Sequence, residues 1–178
     1  YKALFAAGAV TELACLSHVR RKFFELHAAN KSLVAAQALT TIGQLYQIER
    51  QAIDLSAPER QALRLTEAKP ILDAWRVWLI DTRARVPDSS GTARAIDYVL
   101  KRWAALMRYL DDGTYPIDNN PVENAIRPVA LGRKNWLFAG TESAGRRAAA
   151  IMSLIESAKL NGHDPFAYLR DVLTRLPT

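Results

Sequence analysis

The sequence predicts a mainly α-helical fold with a few short strands. From residue 18 to residue 112 apolar residues recur at intervals of three and four, the pattern of amphipathic helices. Helix-start and helix-stop residues stand at the ends of the periodic runs: Ser32, Ser56, Gly113, Thr141, Gly162 and Asp164. Alternating or extended character is confined to two short stretches, Val10 to Leu16 and Trp136 to Ala139.

Taken in order, Ala3 to Phe5 is a short apolar run broken by Gly8. Val10 to Leu16 (V-T-E-L-A-C-L) reads as a strand, with a helix open over so few residues. His18 to Ala29 reads as a helix, with Val19, Phe23 and Leu26 on one face and Arg20, Arg21 and Lys22 around the other. Ser32 caps a helix to Leu55 along the stripe Val34, Ala38, Ile42, Leu45, Ile48. Ser56-Ala57-Pro58-Glu59 is a capping box opening a helix toward Val86, which Pro70 should kink. Leu72, Trp75 and Leu79 form its inner row, and Trp78 lies off that row. Pro87 to Gly91 is a loop. Thr92 to Asp112 reads as one helix with Ile96, Val99, Trp103, Leu106 and Leu110 inward, ended by Gly113 at its C-terminal cap. After residue 140, Thr141 caps a helix to Asn161 whose apolar face is Ala148, Ile151, Met152, Ile155 and Ala158. Asp164-Pro165 opens the last helix, with Leu169, Val172, Leu173 and Leu176 inward.

Composition bounds the function. At 178 residues with 49% hydrophobic residues, one ordinary domain with a real core is expected. A formal net charge of +6 favours nucleic acid or another polyanion as partner. The single cysteine, Cys15, excludes an internal disulfide and fits a reducing compartment. Cys15 and His18 have C-x-x-H spacing, but His27 and His163 do not complete the roughly four ligands of a zinc site. No apolar run approaches the roughly 18 residues of a membrane span, and no signal-peptide pattern opens the chain. A cytoplasmic, nucleoid-associated protein without a membrane partner is expected.

The chemistry-bearing residues concentrate between Tyr115 and Gly140. Pro116 and Pro121 bracket a polar turn, Asn120 is placed as an N-cap, and the short helix that follows should end near Arg127 because Pro128 comes next. Glu123 stands at capping-box spacing from Asn120, so it has two readings. It can close the cap, or it can be a metal-binding carboxylate, since Mg²⁺ sites that handle phosphates use one or two carboxylates plus water and substrate oxygens. Asp118 is a second carboxylate or a turn-former. Arg127, Arg133 and Lys134 supply the positive charge that a phosphate backbone requires. Arg146 and Arg147 sit in the first turns of their helix, where cations oppose the helix dipole and hint at a phosphate partner. Arg20 and Arg21 are a solvated face or a DNA contact, and His18 is a helix-start residue or lies near the active site.

The run D-N-N-P-V-E-N-A-I-R-P-V-A-L-G-R-K-N-W-L-F-A-G, continuing into A-G-R-R-A-A-A-I-M-S-L-I-E-S-A-K-L-N-G-H-D-P-F-A-Y-L-R-D-V-L, resembles the carboxyl-terminal part of the insertion-sequence-66 family of transposases. Near the start, C-L-S-H-V-R-R-K-F-F-E resembles that family's C-W-A-H-A-R-R-K-F segment. The chain departs from the family at Leu16, Ser17, Val19 and Asn124. The resemblance implies an Asp-Asp-Glu transposase with a ribonuclease-H-like α/β core. Glu123 would be the third acid, and Val10 to Leu16 an edge strand. It implies Mg²⁺ or Mn²⁺ as cofactor in the intact enzyme, DNA (transposon ends and target) as partner, and metal-dependent cleavage and strand transfer as the reaction. The other two acids would lie upstream of Tyr1, so the chain is expected to be a fragment that is inactive alone. Asn119 and Asn120 would shape the turn and bond the Glu or a water. Residues 1–30 would end the sheet, 31–113 form a helical insertion, and 114–178 carry the catalytic Glu and closing helices. An exposed sheet edge favours a homo-oligomer. The competing expectation is a non-catalytic helical DNA-binding or assembly module.

Overall fold

The computed structural model describes residues 10–132 and 140–176, and among them every regular element is helical. The chain divides into two compact units, Tyr1–Asn120 and Pro121–Thr178.

The first unit is built from α1 (Leu16–Asn30), α2 (Leu33–Gln51), α3 (Ala57–Leu63), a π-helical turn (Arg64–Ala68), α4 (Lys69–Arg85), α5 (Gly91–Leu100), α6 (Trp103–Met107) and a 3₁₀ turn (Arg108–Leu110). The apolar rows read from the sequence form its core. Val19 and Phe23 of α1 meet Ala38, Ile42 and Leu45 of α2, with Leu72, Trp75 and Leu79 of α4 and Ile96 and Val99 of α5. Phe23, Trp75 and Trp103 stack as tilted rings with centroids 6.5 and 6.0 Å apart, a geometry that adds to plain area burial. Ser32 and Ser90 cap α2 and α5 by accepting from Ala35 and Ala93 N–H, and Ser56 with Glu59 closes the box before α3.

Three expectations are corrected here. Val10 to Leu16 is not a strand: residues 11–15 carry no regular structure, and α1 begins at Leu16. Its N–H groups find carbonyls outside any sheet, Ala14 donating to Ala105 and Leu16 to Ile117 at 3.1 Å. The helix toward Val86 is not α-helical throughout but passes through a π turn at Arg64–Ala68 just before Pro70. The π turn at 64–68 resets the hydrogen-bond ladder just before Pro70, so the missing proline N–H falls in the first turn of α4. Thr92 to Asp112 is not one helix. It breaks at Lys101-Arg102, which lets Trp103, Leu106 and Leu110 stay buried on a new axis. Gly113 has a further role beyond a stop signal, because a Cβ there would lie 1.8 Å from the Ala57 carbonyl oxygen.

The second unit contains α7 (Asn120–Gly132), whose first residue is the last of the first unit, α8 (Glu142–Leu160) and α9 (Pro165–Arg175). Thr141 and Asp164 cap α8 and α9 by accepting from Ala144 and Ala167 N–H, and Gly162 takes the positive φ that the turn between them needs. Here α7 runs through Pro128 where the sequence reading stopped it. The ring deletes only the bond to the Asn124 carbonyl, and Ala130 and Leu131, strong helix formers, carry the helix on. The inward assignment of Ala148, Ile151, Leu173 and Leu176 is also corrected: all four are exposed, and Ala158 is the buried residue of α8. The strand read at Trp136 to Ala139 lies outside the described residues.

Candidate functional site

The polar turn before α7 is fastened at residues far apart in sequence. Arg64 is the upstream anchor. It is 1% exposed, and its guanidinium forms a two-pronged pair with Glu49 of α2 at 2.8 and 2.7 Å. The same group donates to the carbonyls of Tyr109, Asp112 and Tyr115, and lies 5.0 Å over the Tyr109 ring. Arg60 adds a bond to the Gly113 carbonyl at 3.0 Å. A planar fork with five donors suits this task, since one side chain then holds three consecutive stretches of the 109–115 connection.

The turn itself is held next. Leu16 N–H donates to the Ile117 carbonyl, and Asn119 N–H donates to Cys15 Sγ at 3.2 Å. Asp118 accepts from Asn120 N–H on one carboxylate oxygen at 3.0 Å. On the other it accepts from Asn120 Nδ2 and the Tyr46 hydroxyl, both at 2.8 Å. Burial pushes the Tyr46 phenol well above its usual range, and the bond to Asp118 and the Asp118 charge add to that, while Arg20 opposes it. The phenol therefore stays a donor across ordinary pH.

This arrangement sorts the sequence-predicted residues. Asp118 is the turn-former, with both oxygens engaged inside the first unit. It also accepts the Asn120 N–H, the position in the cap that the spacing had offered to Glu123. Asn119 donates its backbone N–H to Cys15 Sγ, and Asn120 donates its side-chain amide to Asp118. Glu123 lies in the first turn of α7 with its side chain exposed. His18 is half-buried in the first turn of α1. Arg20 and Arg21 are exposed, Arg20 lying 5.8 Å over the Phe24 ring. Arg127 and Arg147 are exposed, whereas Arg146 pairs with Glu142 at 2.7 Å in a solvent-open i,i+4 bridge. Arg133 and Lys134 lie outside the described residues.

Tyr46 and Arg64 were not singled out in the sequence. Nothing in spacing links Tyr46 to Asp118, 72 residues away. Arg64 did leave a signal, for it falls four residues before Ala68 on the apolar row that continues through Leu72, Trp75 and Leu79. A cation on an inward row must be paired, because burying a lone charge is prohibitive.

Among the described residues no three His, Cys, Asp or Glu side chains gather closely enough to hold a metal ion. The donor set of these residues therefore does not complete a metal site. Glu123 has its side chain exposed, and Mg²⁺ sites that handle phosphates take one or two carboxylates from a protein. Among the described residues no helix is long and apolar enough to cross a membrane.

Comparison with known proteins fixes the context. No solved structure matches the chain. Three relatives from Sinorhizobium fredii do, all uncharacterized proteins: y4hP is 41% identical over 94% of this chain, y4jD 40% over 91%, and y4qI 39% over 91%. The chain spans about a third of the length of these relatives, 32%, 32% and 30% respectively. Residues 1–147 match the transposase IS66 family and residues 153–178 match the IS66 C-terminal element, and on these matches the chain belongs to the IS66 family of transposases.

Proposed function

We propose that this chain is part of a DNA transposase, and that Glu123 is one acid of a metal-dependent site for DNA cleavage and strand transfer. The ribonuclease-H-like core around that site, and its other acids, belong in this reading to the intact protein. One observation carries it: Glu123 lies in the first turn of α7 with its side chain exposed to solvent. Mg²⁺ or Mn²⁺ bound there would supply a Lewis acid at a phosphate oxygen. This chain's residues do the remaining work. Asp118 and Asn120 set the helix start, and Arg20, Arg127 and Arg147 present positive charge to phosphates of transposon ends and target, with Arg133 and Lys134 joining them on sequence. A homo-oligomer is part of the proposal, supported by the exposed apolar residues Phe166, Leu173 and Leu176. The test is Glu123→Gln in the full-length protein. Strand transfer should be abolished while helix content and thermal unfolding are unchanged, and normal metal-dependent joining by this variant would refute the assignment.

A second reading is a non-catalytic helical DNA-binding or assembly module. The lack of a metal-ligating cluster among the described residues favours it. In that case Glu123→Gln would leave transposition intact, and only the basic positions would matter.

A further inference from the structure

Among the cations of the first unit, two sets contrast. Arg60, Arg64, Arg83, Arg94 and Arg108 direct their guanidinium N–H groups at carbonyls or carboxylates of the same chain. Lys22, Arg76 and Arg102 are exposed and rest on aromatic rings instead. Lys22 Nζ lies 5.9 Å and the Arg102 guanidinium carbon 4.0 Å from the centroid of one ring, Tyr98. Arg76 lies 5.9 Å from the ring of Trp103, the residue after Arg102. Among the described residues the one side-chain hydrogen bond made by these three is a long one, Arg102 Nη1 to the Tyr98 carbonyl at 3.4 Å.

We propose that the Lys22–Tyr98–Arg102 face, formed where α1 packs on α5, with Arg76 on the neighbouring ring, is a DNA-backbone grip. Its nucleic-acid partner rests on the transposase reading, but the grip rests on its own geometry. A guanidinium laid on a ring is fixed in orientation and keeps its edge N–H groups outward, where they match paired phosphate oxygens. Less side-chain freedom is then lost on binding than at a loose surface cation. The partly buried Tyr98 serves both cations at once, so α1 and the end of α5 present their charges together. The duplex offers a charge about every 1.7 Å of its axis, and each phosphate neutralised releases counterions. The net charge of +6 works in the same direction. An acidic polypeptide is the other polyanion such a face could take.

The experiment is DNA binding by the full-length protein. The probe is a labelled duplex of about 30 base pairs, titrated between about 50 and 200 mM salt. Lys22→Ala/Arg102→Ala should weaken binding about tenfold at low salt and lower the slope of log K against log salt by about 2. Arg50→Ala, an exposed cation of α2 with no ring contact, should weaken it by less than about twofold. Tyr98→Leu, which keeps both charges but removes their platform, should give an intermediate loss. The proposal is overturned if the double variant loses no more than Arg50→Ala, or if its salt slope is unchanged. It is also overturned if DNA binding persists while binding to polyglutamate is lost, which would name an acidic polypeptide as the partner. Glu123→Gln should bind this duplex normally, so failure here leaves the acid assignment standing, and failure of strand-transfer assays leaves the grip standing.

Discussion

Replacing Arg64 by Met should be among the most damaging single changes in the first unit. The native side chain is 1% exposed and its partner Glu49 17%. Truncation would leave a carboxylate and three carbonyls, those of Tyr109, Asp112 and Tyr115, without their shared donor. Breaking one partner of a buried pair costs about 3–5 kcal/mol, and each buried acceptor left unmade about 1–3 kcal/mol. The sum overshoots, because Glu49 and two of the carbonyl contacts are only partly buried and water can enter. A net loss of about 4 kcal/mol is expected, which at roughly 2–4 °C per kcal/mol lowers the melting temperature by roughly 8–16 °C. Denaturant unfolding followed by circular dichroism reads it directly. Arg64→Lys should recover less than half, since one ammonium cannot reach both carboxylate oxygens and three carbonyls. A double-mutant cycle with Glu49→Gln should show coupling of about 2 kcal/mol or more. A loss below about 1 kcal/mol for Arg64→Met would place the pair with ordinary surface bridges and refute the anchor.

Other outcomes follow from the same geometry. Gly113→Ala should destabilise by about 3 kcal/mol, since its Cβ would meet the Ala57 backbone at 1.8 Å, and thermal unfolding will show it. Tyr46→Phe should cost about 1–2 kcal/mol by removing a donor from Asp118, and strand transfer by the full-length protein should fall with it. Backbone and hydroxyl bonds from Thr114 hold the Asp112 carboxyl below its usual range, and Arg83 does the same for Asp97. Both values are depressed on folding, so their stabilisation is present above about pH 4 and is lost as pH falls through the folded values. Acid titration of stability should steepen below about pH 4, and Asp112→Asn should flatten that limb. At the alkaline end, Tyr46 and Tyr109 are raised, chiefly by burial. Stability should therefore decline above about pH 10, and Tyr46→Phe should soften the decline.

What the sequence showed and what it hid divide along chain distance. The rows Ala38-Ile42-Leu45 and Leu72-Trp75-Leu79 were legible because one helix face repeats every three or four residues, and burial follows that face. The caps at Ser32, Ser56, Thr141 and Asp164 were legible because cap chemistry is local. Val10 to Leu16 misled because extended backbone says nothing about its partners, and here the partners are the Ala105 and Ile117 carbonyls. The break at Lys101-Arg102 was hidden because a tight turn can preserve an apolar period across two axes. The Arg64 and Tyr46 contacts were hidden for the same reason, spanning from 15 to 72 residues. Apart from the Arg64–Glu49 pair, those distant contacts converge on residues 109–118. Tyr46, Cys15 and the Asn120 amide hold the turn, and Asp118 takes the Asn120 N–H at the helix entry. Asp118 is thereby held in a structural role, and Glu123 stands five residues further on with its side chain exposed.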